Sequence, residues 1–417
     1  MYIKRAVEDS VLIISETFPV LMVTGPRQSG KTTLLSKLSD KHRAYVTLDD
    51  PDIRYLAKTD PALFMQRFTP PVLIDEIQYA PQILPYIKMS VDRSGNRGDF
   101  WLTGSQAFHM MKNVGESLAG RVGIINLLGL SRSEIEALPS EPFTTSPERL
   151  LPRLKHAKRA GINEIYEWIF RGAFPALYGT KPPKLSTFYS SYINTYLQRD
   201  IRDLSQVADE SAFLNFMVIV AAHTAKPVVY EELAKAAGIS QPTAKKWLSI
   251  LVSSGLVALV QPYFNNVLKR AVKMPLLHFL DTGLCAYLLK WGNPATLESS
   301  HMSGAFFESW VFSEIYKSYI NAGLEPPIYY YRDKDKREID LLLYENGIIC
   351  PIEIKKAASP GVGAVKHFKV LNPITEPERF GALEQHKTQI GTGAVICFAS
   401  DMLPADSANW FVPAWLL

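Results

Sequence analysis

The segment GPRQSGKT, Gly25 to Thr32, decides how the first part of this chain folds. It satisfies the pattern GxxxxGK[ST] at every fixed position, with the apolar run PVLMVTG before it and the helical pattern KTTLLSKL after it. Glycines let a backbone wrap an anion without a Cβ clash, and the N–H groups at the start of the helix point at that anion. The sequence therefore predicts a phosphate-binding loop between a strand and a helix.

Each side chain of this loop has an expected role. Lys31 would reach the β- and γ-phosphates of a nucleotide, and the Thr32 hydroxyl would hold Mg²⁺. A chance glycine-rich turn is the alternative, which the flanking strand and helix disfavour. We therefore expect ATP and Mg²⁺ as cofactors. The loop residues expected to contact the nucleotide are Gly25, Pro26, Arg27, Gln28, Ser29, Gly30, Lys31, Thr32 and Thr33.

Two adjacent acids follow a second apolar strand, PPVLIDEIQ, residues 70–78. Asp75, at the end of the strand, can hold Mg²⁺ through water, and Glu76 can orient or deprotonate the attacking water. A carboxylate beside a magnesium ligand favours hydrolysis over nucleotide storage. The alternative is a strand end whose acids merely face solvent.

Two further segments supply weaker candidates for the same site. The strand FWLTGSQ ends in Thr103 and Ser105, which either sense the γ-phosphate or belong to a turn that caps a helix. Arg121, in LAGRVG, is either an arginine finger that acts on a neighbouring subunit or one half of a structural ion pair. The finger would require a homo-oligomer. The sequence leaves both pairs of alternatives open.

The composition is that of a globular protein. The chain has 417 residues, of which 47% are hydrophobic and 21% are charged. These values exclude a disordered, collagen-like or coiled-coil chain, and the length corresponds to roughly two to four domains. The formal net charge of +4 excludes a chain-wide basic surface for nucleic acid and leaves room for a local basic patch.

Cysteine usage and hydropathy predict a cytoplasmic protein without a membrane span. Cys285, Cys350 and Cys397 are far apart and lack CxxC spacing, which argues against a disulfide framework or a zinc knuckle. No apolar run approaches the roughly 20 residues of a membrane helix. The start of the chain, MYIKRAVEDS, lacks the apolar core of a secretory signal.

Short apolar runs alternate with helical patterns in the first third of the chain. This alternation is typical of buried parallel strands and predicts an α/β domain over residues 1–138. A stretch rich in proline and polar residues follows, and with the next helical pattern it predicts a helical lid or linker over residues 139–205. The predicted strands are Val20–Val23, Ala44–Leu48, Val72–Ile74, Phe100–Leu102 and Gly123–Leu128.

A winged helix–turn–helix pattern lies within residues 206–295. Glu231–Ala237 forms the first helix, Ser240 is a good N-cap for the second, and Gly255 ends it. The wing strands are predicted over residues 256–260 and 276–280. Either the module contacts DNA, or it packs on the N-terminal domain without DNA. The basic residues that would contact DNA phosphates are Lys245, Lys246, Lys269, Arg270 and Lys273.

The last part of the chain, residues 296–417, contains a hairpin that bears acids. IDLLLY and ICPIEIK flank the turn at residues 345–347, whose Asn-Gly pair is a strong hairpin signal. Period-two alternation puts Glu353 and Lys355 on one face, beside Asp340 across the hairpin. This pattern resembles the PD-(D/E)xK nuclease core, with Glu308 as a further acid on a predicted helix.

The nuclease resemblance implies a metal-dependent phosphodiesterase site. Glu308, Asp340 and Glu353 would hold Mg²⁺ or Mn²⁺, together with the Ile354 carbonyl, and Lys355 would position the attacking water. A solvated hairpin, or a nuclease-like domain that has lost its activity, is the alternative.

The segments GPRQSGKT, LIDEIQ, LTGSQ and LAGR together resemble the AAA-type P-loop ATPases of bacteria and archaea that carry a C-terminal domain of unknown function. The resemblance implies an α/β fold class: an AAA-type ATPase domain, a helical lid, a winged helix–turn–helix and a PD-(D/E)xK nuclease-like domain. The sequence departs from the family pattern at INLLGLSRSEI, where a proline usually precedes the Leu–Ser pair. Later segments that are also similar are RGAFPALY (171–178), YLQRDIRDL (196–204), HFLDTGLCAYL (278–288) and GAFFESWVFSEI (304–315).

These patterns predict a protein that binds and hydrolyses ATP. A winged helix and a nuclease-like core on one chain favour coupling to DNA processing or to defence against foreign DNA. The alternative is a regulatory switch, in which the ATP state controls assembly with a protein partner and the nuclease-like domain is inactive. A nucleotide kinase is disfavoured, because no segment is dedicated to a phosphate acceptor.

Overall fold

The computed structural model describes residues 2–104, 117–196, 209–263, 274–333, 335, 337–372 and 388–417. The first part of the chain forms a sheet of parallel strands in the order β2-β3-β4-β1-β5. Each predicted strand is found at its expected place with slightly shifted ends, so the α/β prediction is confirmed. The strands are β1 (Val20–Thr24), β2 (Ala44–Thr47), β3 (Val72–Asp75), β4 (Phe100–Gly104) and β5 (Val122–Asn126).

Apolar side chains cover both faces of this sheet. Val20 and Met22 join the core on one face, and the alternating Leu21 and Val23 join the core on the other. Because the strands are parallel, their carboxyl ends meet at one edge, and the phosphate loop follows β1 at that edge. The flanking helices are α1 (Glu8–Thr17), α2 (Lys31–Leu38), α3 (Pro51–Thr59), α4 (Pro61–Arg67) and α5 (Leu84–Ser94).

The segment predicted as a linker is packed against the second half of the chain. Phe143 is only 3% exposed. Its N–H donates to Ser318 Oγ at 2.9 Å, and its carbonyl accepts from the Tyr319 hydroxyl at 2.8 Å. This segment is therefore held in place near its start. The helices of this region are α6 (Arg132–Ile135), α7 (Pro147–Leu150), α8 (Ile162–Arg171), α9 (Leu185–Tyr196) and α10 (Glu210–Ala222).

Two helices and a pair of strands occupy the region of the helix–turn–helix pattern. The Ser240 side chain accepts from the Thr243 N–H at 3.2 Å, so it caps the second helix as expected. The face of that helix formed by Ala244, Trp247 and Leu248 is buried. The elements are β6 (Lys226–Pro227), α11 (Tyr230–Ala237), α12 (Gln241–Ser253), β7 (Val257–Pro262) and β8 (Leu276–Phe279).

The C-terminal region contains the predicted hairpin. Asn346 and Gly347 have φ values of 51° and 78°, as the two central residues of a type I′ turn require. The helices before it are α13 (Thr282–Leu288), α14 (Pro294–Glu298) and α15 (Ser303–Asn321). The strands are β9 (Ile328–Arg332), β10 (Glu338–Glu345), β11 (Ile348–Ile354), β12 (Gln389–Ile390), β13 (Gly393–Cys397), β14 (Leu403–Pro404) and β15 (Asn409–Pro413). Among the helices that the described ranges contain, none is both long and apolar enough to cross a bilayer.

One sheet joins the helix–turn–helix region to the C-terminal region. β7 runs parallel to β9, with Gln261 opposite Tyr329. The strand order is β14-β15-β13-β11-β10-β9-β7-β8-β6, and β12 pairs with β11. The predicted division at residue 296 therefore does not separate two sheets, since backbone pairing crosses it.

Candidate functional site

The phosphate loop adopts a tight turn between β1 and α2. A Cβ at Gly25, whose φ is 137°, would lie 2.1 Å from the Leu127 carbonyl oxygen, so only glycine fits there. Gly30 has a φ of 92° and directly precedes α2. Both glycines of the pattern thus occupy backbone conformations that other residues rarely adopt.

Lys31 lies on the inner side of this loop and is 6% exposed. Its ammonium group donates to the Gly25 and Pro26 carbonyls at 3.0 and 2.9 Å. The loop opens onto a cavity of about 530 Å³, which is large enough for a nucleotide. The residues that line the cavity are Arg27, Gln28, Gly30, Lys31, Thr32, Thr33, Glu76 and Thr195.

Three oxygen-bearing side chains meet beside the loop at the carboxyl edge of the sheet. Thr32 Oγ1 donates to Asp75 Oδ1 at 2.7 Å. Thr103 Oγ1 donates to the same oxygen at 2.5 Å and accepts from the Glu76 N–H at 3.0 Å. Thr103 thus links the two acids, and its sensing of a γ-phosphate stays a prediction. Ser105 lies outside the described residues.

Glu76 faces the cavity from a left-handed backbone conformation, with a φ of 58°. Such a conformation is costly for a residue other than glycine and is often found at functional sites. Burial raises the pKa of the Glu76 carboxyl above its usual range, and the positive charge of Lys31 opposes this shift. The Gln78 side chain donates to Glu76 Oε2. Glu76 is therefore a partly desolvated carboxyl group, fixed by a hydrogen bond, at the edge of the cavity.

The residues at this edge fit a nucleotide with Mg²⁺. Ser29 Oγ is buried and has no hydrogen-bond partner within the described part of the chain, although buried hydroxyls normally have one. Nothing lies within 4 Å of a Cβ built on Gly30, so an anion can approach the backbone closely there. The Thr32 hydroxyl and the Asp75 carboxylate are hard oxygen donors of the type that Mg²⁺ prefers.

Arg121 lies away from this edge. Its carbonyl accepts from the Val20 N–H at the start of β1, whereas the loop follows the end of that five-residue strand, roughly 15 Å further along at the rise of a β-strand. Its guanidinium pairs with Asp92 at 2.5 Å. Within one chain Arg121 is therefore an ion-pair residue, and a finger role in a neighbouring subunit stays a prediction.

The acidic hairpin brings its predicted residues to one face of the second sheet. Leu341 pairs with Ile352, so Asp340 lies opposite Glu353 in the same register. Asp340 Oδ2 accepts from the Ile354 N–H at 2.7 Å. The Lys355 ammonium donates to Glu353 Oε1 at 2.5 Å. These contacts place the three residues next to one another at this end of the hairpin, and their role as a site stays a prediction.

Electrostatics tie Glu308 on α15 to the same cluster. Burial, followed by the negative charge of Asp340, raises the pKa of Glu308 well above its usual range. Burial, followed by the charge of Glu353, likewise raises the pKa of Asp340. Burial also raises the pKa of Glu353, against the effect of Lys355. Buried carboxyls whose pKa values are raised by neighbouring acids form a cluster that added positive charge would stabilise.

The metal site with three carboxylates, Glu308, Asp340 and Glu353, stays a prediction. Across residues 2–104, 117–196 and the later described ranges, no three His, Cys, Asp or Glu side chains are grouped as metal ligands. The acids have protein partners in this structure: Lys355 donates to one Glu353 oxygen, and the Ile354 N–H donates to one Asp340 oxygen. The other Glu353 oxygen is buried without a hydrogen-bond partner in the described chain.

The second helix of the helix–turn–helix exposes Lys245 and Lys246 to solvent. The predicted wing residues Lys269, Arg270 and Lys273 lie outside the described residues. The turn after this helix touches the phosphate loop, because a Cβ built on Gly255 would lie 3.0 Å from the Pro26 ring. Both alternatives for this module thus have support: it packs on the N-terminal domain, and it leaves two lysines free for an anionic partner.

The segments RGAFPALY and HFLDTGLCAYL pack on each other. Asp281 accepts from the Ala173 and Leu284 N–H groups, each at 2.7 Å, and from the Tyr189 hydroxyl at 2.9 Å. Tyr189 is also within hydrogen-bond distance of the Arg171 carbonyl. These segments therefore have a structural role, since they satisfy a buried carboxylate that caps α13.

Two residues near the loop were not predicted from the sequence. Thr195, from α9, lines the cavity although it belongs to the helical region. Arg5 donates to the Ser29 carbonyl in the loop at 2.9 Å. Neither belongs to a local motif, and no signal in the sequence distinguishes them from surface residues.

Family models match three parts of the chain. Residues 17–136 match an AAA domain, residues 162–295 match a domain of unknown function (DUF8612), and residues 303–417 match another (DUF4143). Similar proteins include two uncharacterized proteins, of Mycobacterium bovis and of Mycobacterium tuberculosis. Each is 28% identical over 346 residues, which cover 82% of this chain and 72% of the relative.

Solved structures that share similarity include the Walker-type ATPase of Pyrococcus abyssi and PCH-2 of C. elegans. The first is 15% identical, with a TM-score of 0.43, and the match covers 69% of this chain and 96% of that one. The second is 14% identical, with a TM-score of 0.23, and covers 60% and 64%.

The family matches agree with the motifs and with the geometry of the loop. The sequence predicted an AAA-type domain followed by a C-terminal domain of unknown function, and both are found. The chain therefore carries a P-loop ATPase domain of the AAA type in its N-terminal part, which supports ATP hydrolysis, and a domain of unknown function at its C-terminal side.

Proposed function

We propose that this protein binds ATP with Mg²⁺ at the phosphate loop and hydrolyses it with Glu76 as the base. The contact between Thr32 Oγ1 and Asp75 Oδ1, at 2.7 Å, carries the proposal. This contact joins two oxygen donors of the kind that Mg²⁺ prefers. The same loop contains Lys31 and opens onto a cavity large enough for a nucleotide.

Each residue of this edge has a distinct task in the proposed reaction. Lys31 contacts the β- and γ-phosphates, and Thr32 and Asp75 hold the metal, which would neutralise charge on the same phosphates. Glu76 accepts the proton of the attacking water, a task for which its raised pKa is favourable. Thr103 keeps Asp75 and Glu76 in fixed relation through its two hydrogen bonds.

We further propose that ATP hydrolysis is coupled to DNA. The contact between Gly255 and Pro26 links the helix–turn–helix to the loop, and Lys245 and Lys246 are available for phosphates. In this proposal the chain divides into an ATPase domain (1–138), a lid (139–205), a winged helix (206–295) and a nuclease-like domain (296–417). Arg121 acts between subunits of a homo-oligomer.

The test is ATPase activity with and without DNA. Wild-type protein should hydrolyse ATP in Mg²⁺, and DNA should change the rate. Lys31→Ala should abolish tight ATP binding, because the charge that clamps the phosphates is lost. The double variant Lys245→Glu, Lys246→Glu should keep the basal rate and lose the DNA effect. The double variant Lys41→Glu, Lys58→Glu, an equal charge change at two exposed positions of the N-terminal domain, is the matched control. Absence of ATP hydrolysis by wild-type protein would refute the main proposal.

A second candidate function, cleavage of DNA, is favoured by the convergence of Asp340, Glu353 and Lys355. Two carboxylates and the Ile354 carbonyl would hold Mg²⁺ or Mn²⁺, and Lys355 would leave Glu353 to position water. Asp340→Asn should abolish metal-dependent cleavage and leave ATP hydrolysis intact, as measured on the same preparation. If wild-type protein cuts no DNA in either metal, the regulatory switch with a protein partner becomes the better account of this domain.

A further inference from the structure

Arg5 lies before α1, outside every motif, and its guanidinium is buried against the phosphate loop. Nη1 donates to the Ser29 carbonyl at 2.9 Å, and Nη2 donates to the Leu128 carbonyl at 2.8 Å. Nε donates to Glu134 Oε1 at 2.9 Å. Arg5 is 3% exposed, so all three edges of the guanidinium are engaged inside the protein.

Glu134 fixes the orientation of Arg5. Its carboxylate also accepts from the Ala6 N–H at 2.8 Å and from the Ser131 N–H at 2.7 Å. These backbone donors belong to two different segments, so the carboxylate cannot turn without losing one of them. The Arg5–Glu134 pair is therefore a rigid anchor between the start of the chain, the segment after β5 and the phosphate loop.

The anchor acts on one of the loop peptide groups whose N–H can bind a phosphate. The Ser29 carbonyl and the Gly30 N–H belong to the same planar trans peptide, so they point in opposite directions. Because Arg5 holds the carbonyl, the Gly30 N–H points to the opposite side of this peptide, and Gly30 itself lines the cavity. Without the anchor this peptide could rotate, since glycine permits many backbone conformations.

We propose that Arg5 is a positioning residue of the nucleotide site, which presents the Gly30 N–H to a phosphate by holding the Ser29 carbonyl. The proposal rests on the ATP-binding function above. Lysine cannot replace arginine in this position, because an ammonium group lacks the planar fork that reaches three acceptors in one plane. The effect is on nucleotide affinity, since Arg5 touches no reacting atom.

The test compares two buried arginines. Arg132 is 4% exposed and is held by the Lys158 carbonyl and Glu136, but it does not contact the loop. Arg5→Lys and Arg132→Lys should both lower Tm. Only Arg5→Lys should raise the Kd for ATP with Mg²⁺, by about tenfold or more, the size expected for loss of one charge-assisted hydrogen bond. The Kd of Arg132→Lys should stay near the wild-type value.

Two further measurements separate positioning from general stability. Inorganic pyrophosphate, used as a competitor, carries only phosphates, and its affinity should fall in Arg5→Lys by a similar factor. The rate at saturating ATP, measured well below Tm, should change less than KM. Glu134→Asp, which keeps the charge and shortens the anchor, should raise the Kd in the same direction, and it serves where Arg5→Lys does not fold.

The outcomes are distinct. Wild-type affinity for ATP and pyrophosphate in folded Arg5→Lys and Glu134→Asp would overturn the positioning role and leave ATP binding intact. An equal loss of affinity in Arg132→Lys would also overturn it, because the effect would then follow from lowered stability. Wild-type protein that binds neither ligand would overturn the proposed function itself, and the positioning role with it.

Discussion

At the scale of single residues, hydroxyl groups connect the acidic residues at the carboxyl edge of the first sheet, beside the phosphate loop. Thr103 donates to Asp75 and accepts from the backbone of Glu76, and Thr32 donates to the same carboxylate. A hydroxyl is suited to this position because it can donate and accept at once. The acids are thus positioned before any ligand contacts them, which lowers the cost of ordering them during a reaction.

Glu76→Gln should slow ATP hydrolysis by about 10²–10⁴-fold, the usual contribution of a general base. The amide keeps the size and most contacts of the carboxyl but cannot take a proton from water, so the Kd for ATP should change little. Single-turnover hydrolysis and equilibrium binding measure the two quantities separately.

The matched control is Glu16→Gln, the same change at an exposed position of α1, which should behave as wild type. A Glu76→Gln protein with the wild-type turnover rate would show that another group activates the water.

At the scale of elements, a buried polar chain links β8 to α15. His278 is fully buried, its Nδ1 lies 3.2 Å from Ser309 Oγ, and its ring stacks on Phe312 with centroids 4.4 Å apart. Ser309 Oγ also lies 2.8 Å from Thr224 Oγ1. Burial lowers the pKa of His278 to about 3. The contact between this strand and helix therefore requires a neutral imidazole.

This requirement predicts a loss of stability in acid. The unfolded chain binds a proton at His278 below about pH 6.5, whereas the native protein does not until about pH 3. Stability is therefore fully present above pH 6.5 and falls as pH decreases toward 3. Between pH 6.5 and pH 5 the contribution of His278 is about 2 kcal/mol.

His278→Asn keeps a polar group near Ser309 and removes the titration. Its free energy of unfolding at neutral pH should be lower than that of wild type, because the ring stacking is lost. Between pH 6.5 and pH 5, the free energy of unfolding of this variant should decrease less than that of wild type. Denaturant unfolding at several pH values would measure both decreases. Parallel pH profiles for the two proteins would mean that other groups cause the acid sensitivity.

At the scale of the whole molecule, the phosphate loop is enclosed by parts of the chain that are distant in sequence. Arg5 contacts Ser29 from the N-terminal side, and the turn at Gly255 contacts Pro26 from the helix–turn–helix. The helix–turn–helix in turn shares a sheet with the C-terminal region through β7 and β9. Packed elements therefore connect the loop to the C-terminal region.

Variants of Arg121 would show whether the protein hydrolyses ATP as an oligomer. If it acts on a neighbouring subunit, Arg121→Ala should lower turnover and leave nucleotide affinity nearly unchanged. Mixing Arg121→Ala with Lys31→Ala should then restore part of the activity, because the second variant supplies the finger to the intact loop of the first. ATPase assays on mixtures of the two variants measure this rescue.

Asp92→Ala is the control, because it removes the ion-pair partner of Arg121 without removing the finger. Its turnover should not fall. Mixtures that co-assemble by light scattering and still show no rescue would assign Arg121 to the ion pair alone.

Local pattern was sufficient for the phosphate loop, the strands and the hairpin. The conformations of Gly25 and Gly30 follow from a contiguous motif, and the turn at Asn346-Gly347 follows from a dipeptide. The faces of β10 and β11 follow from period-two alternation, which is why Asp340 and Glu353 were expected opposite each other. Such features depend on neighbours within a few residues, and the sequence displays those neighbours directly.

The sequence by itself therefore determined the residues of the phosphate loop, the α/β fold class and the acidic hairpin. Only the tertiary structure decided that Arg5 anchors Ser29, that Gly255 meets Pro26, and that Lys355 pairs with Glu353. The physical reason is that a residue's periodicity reports which face of its own element it occupies. Its partner depends on how distant elements pack, and that is settled only when the whole chain has folded.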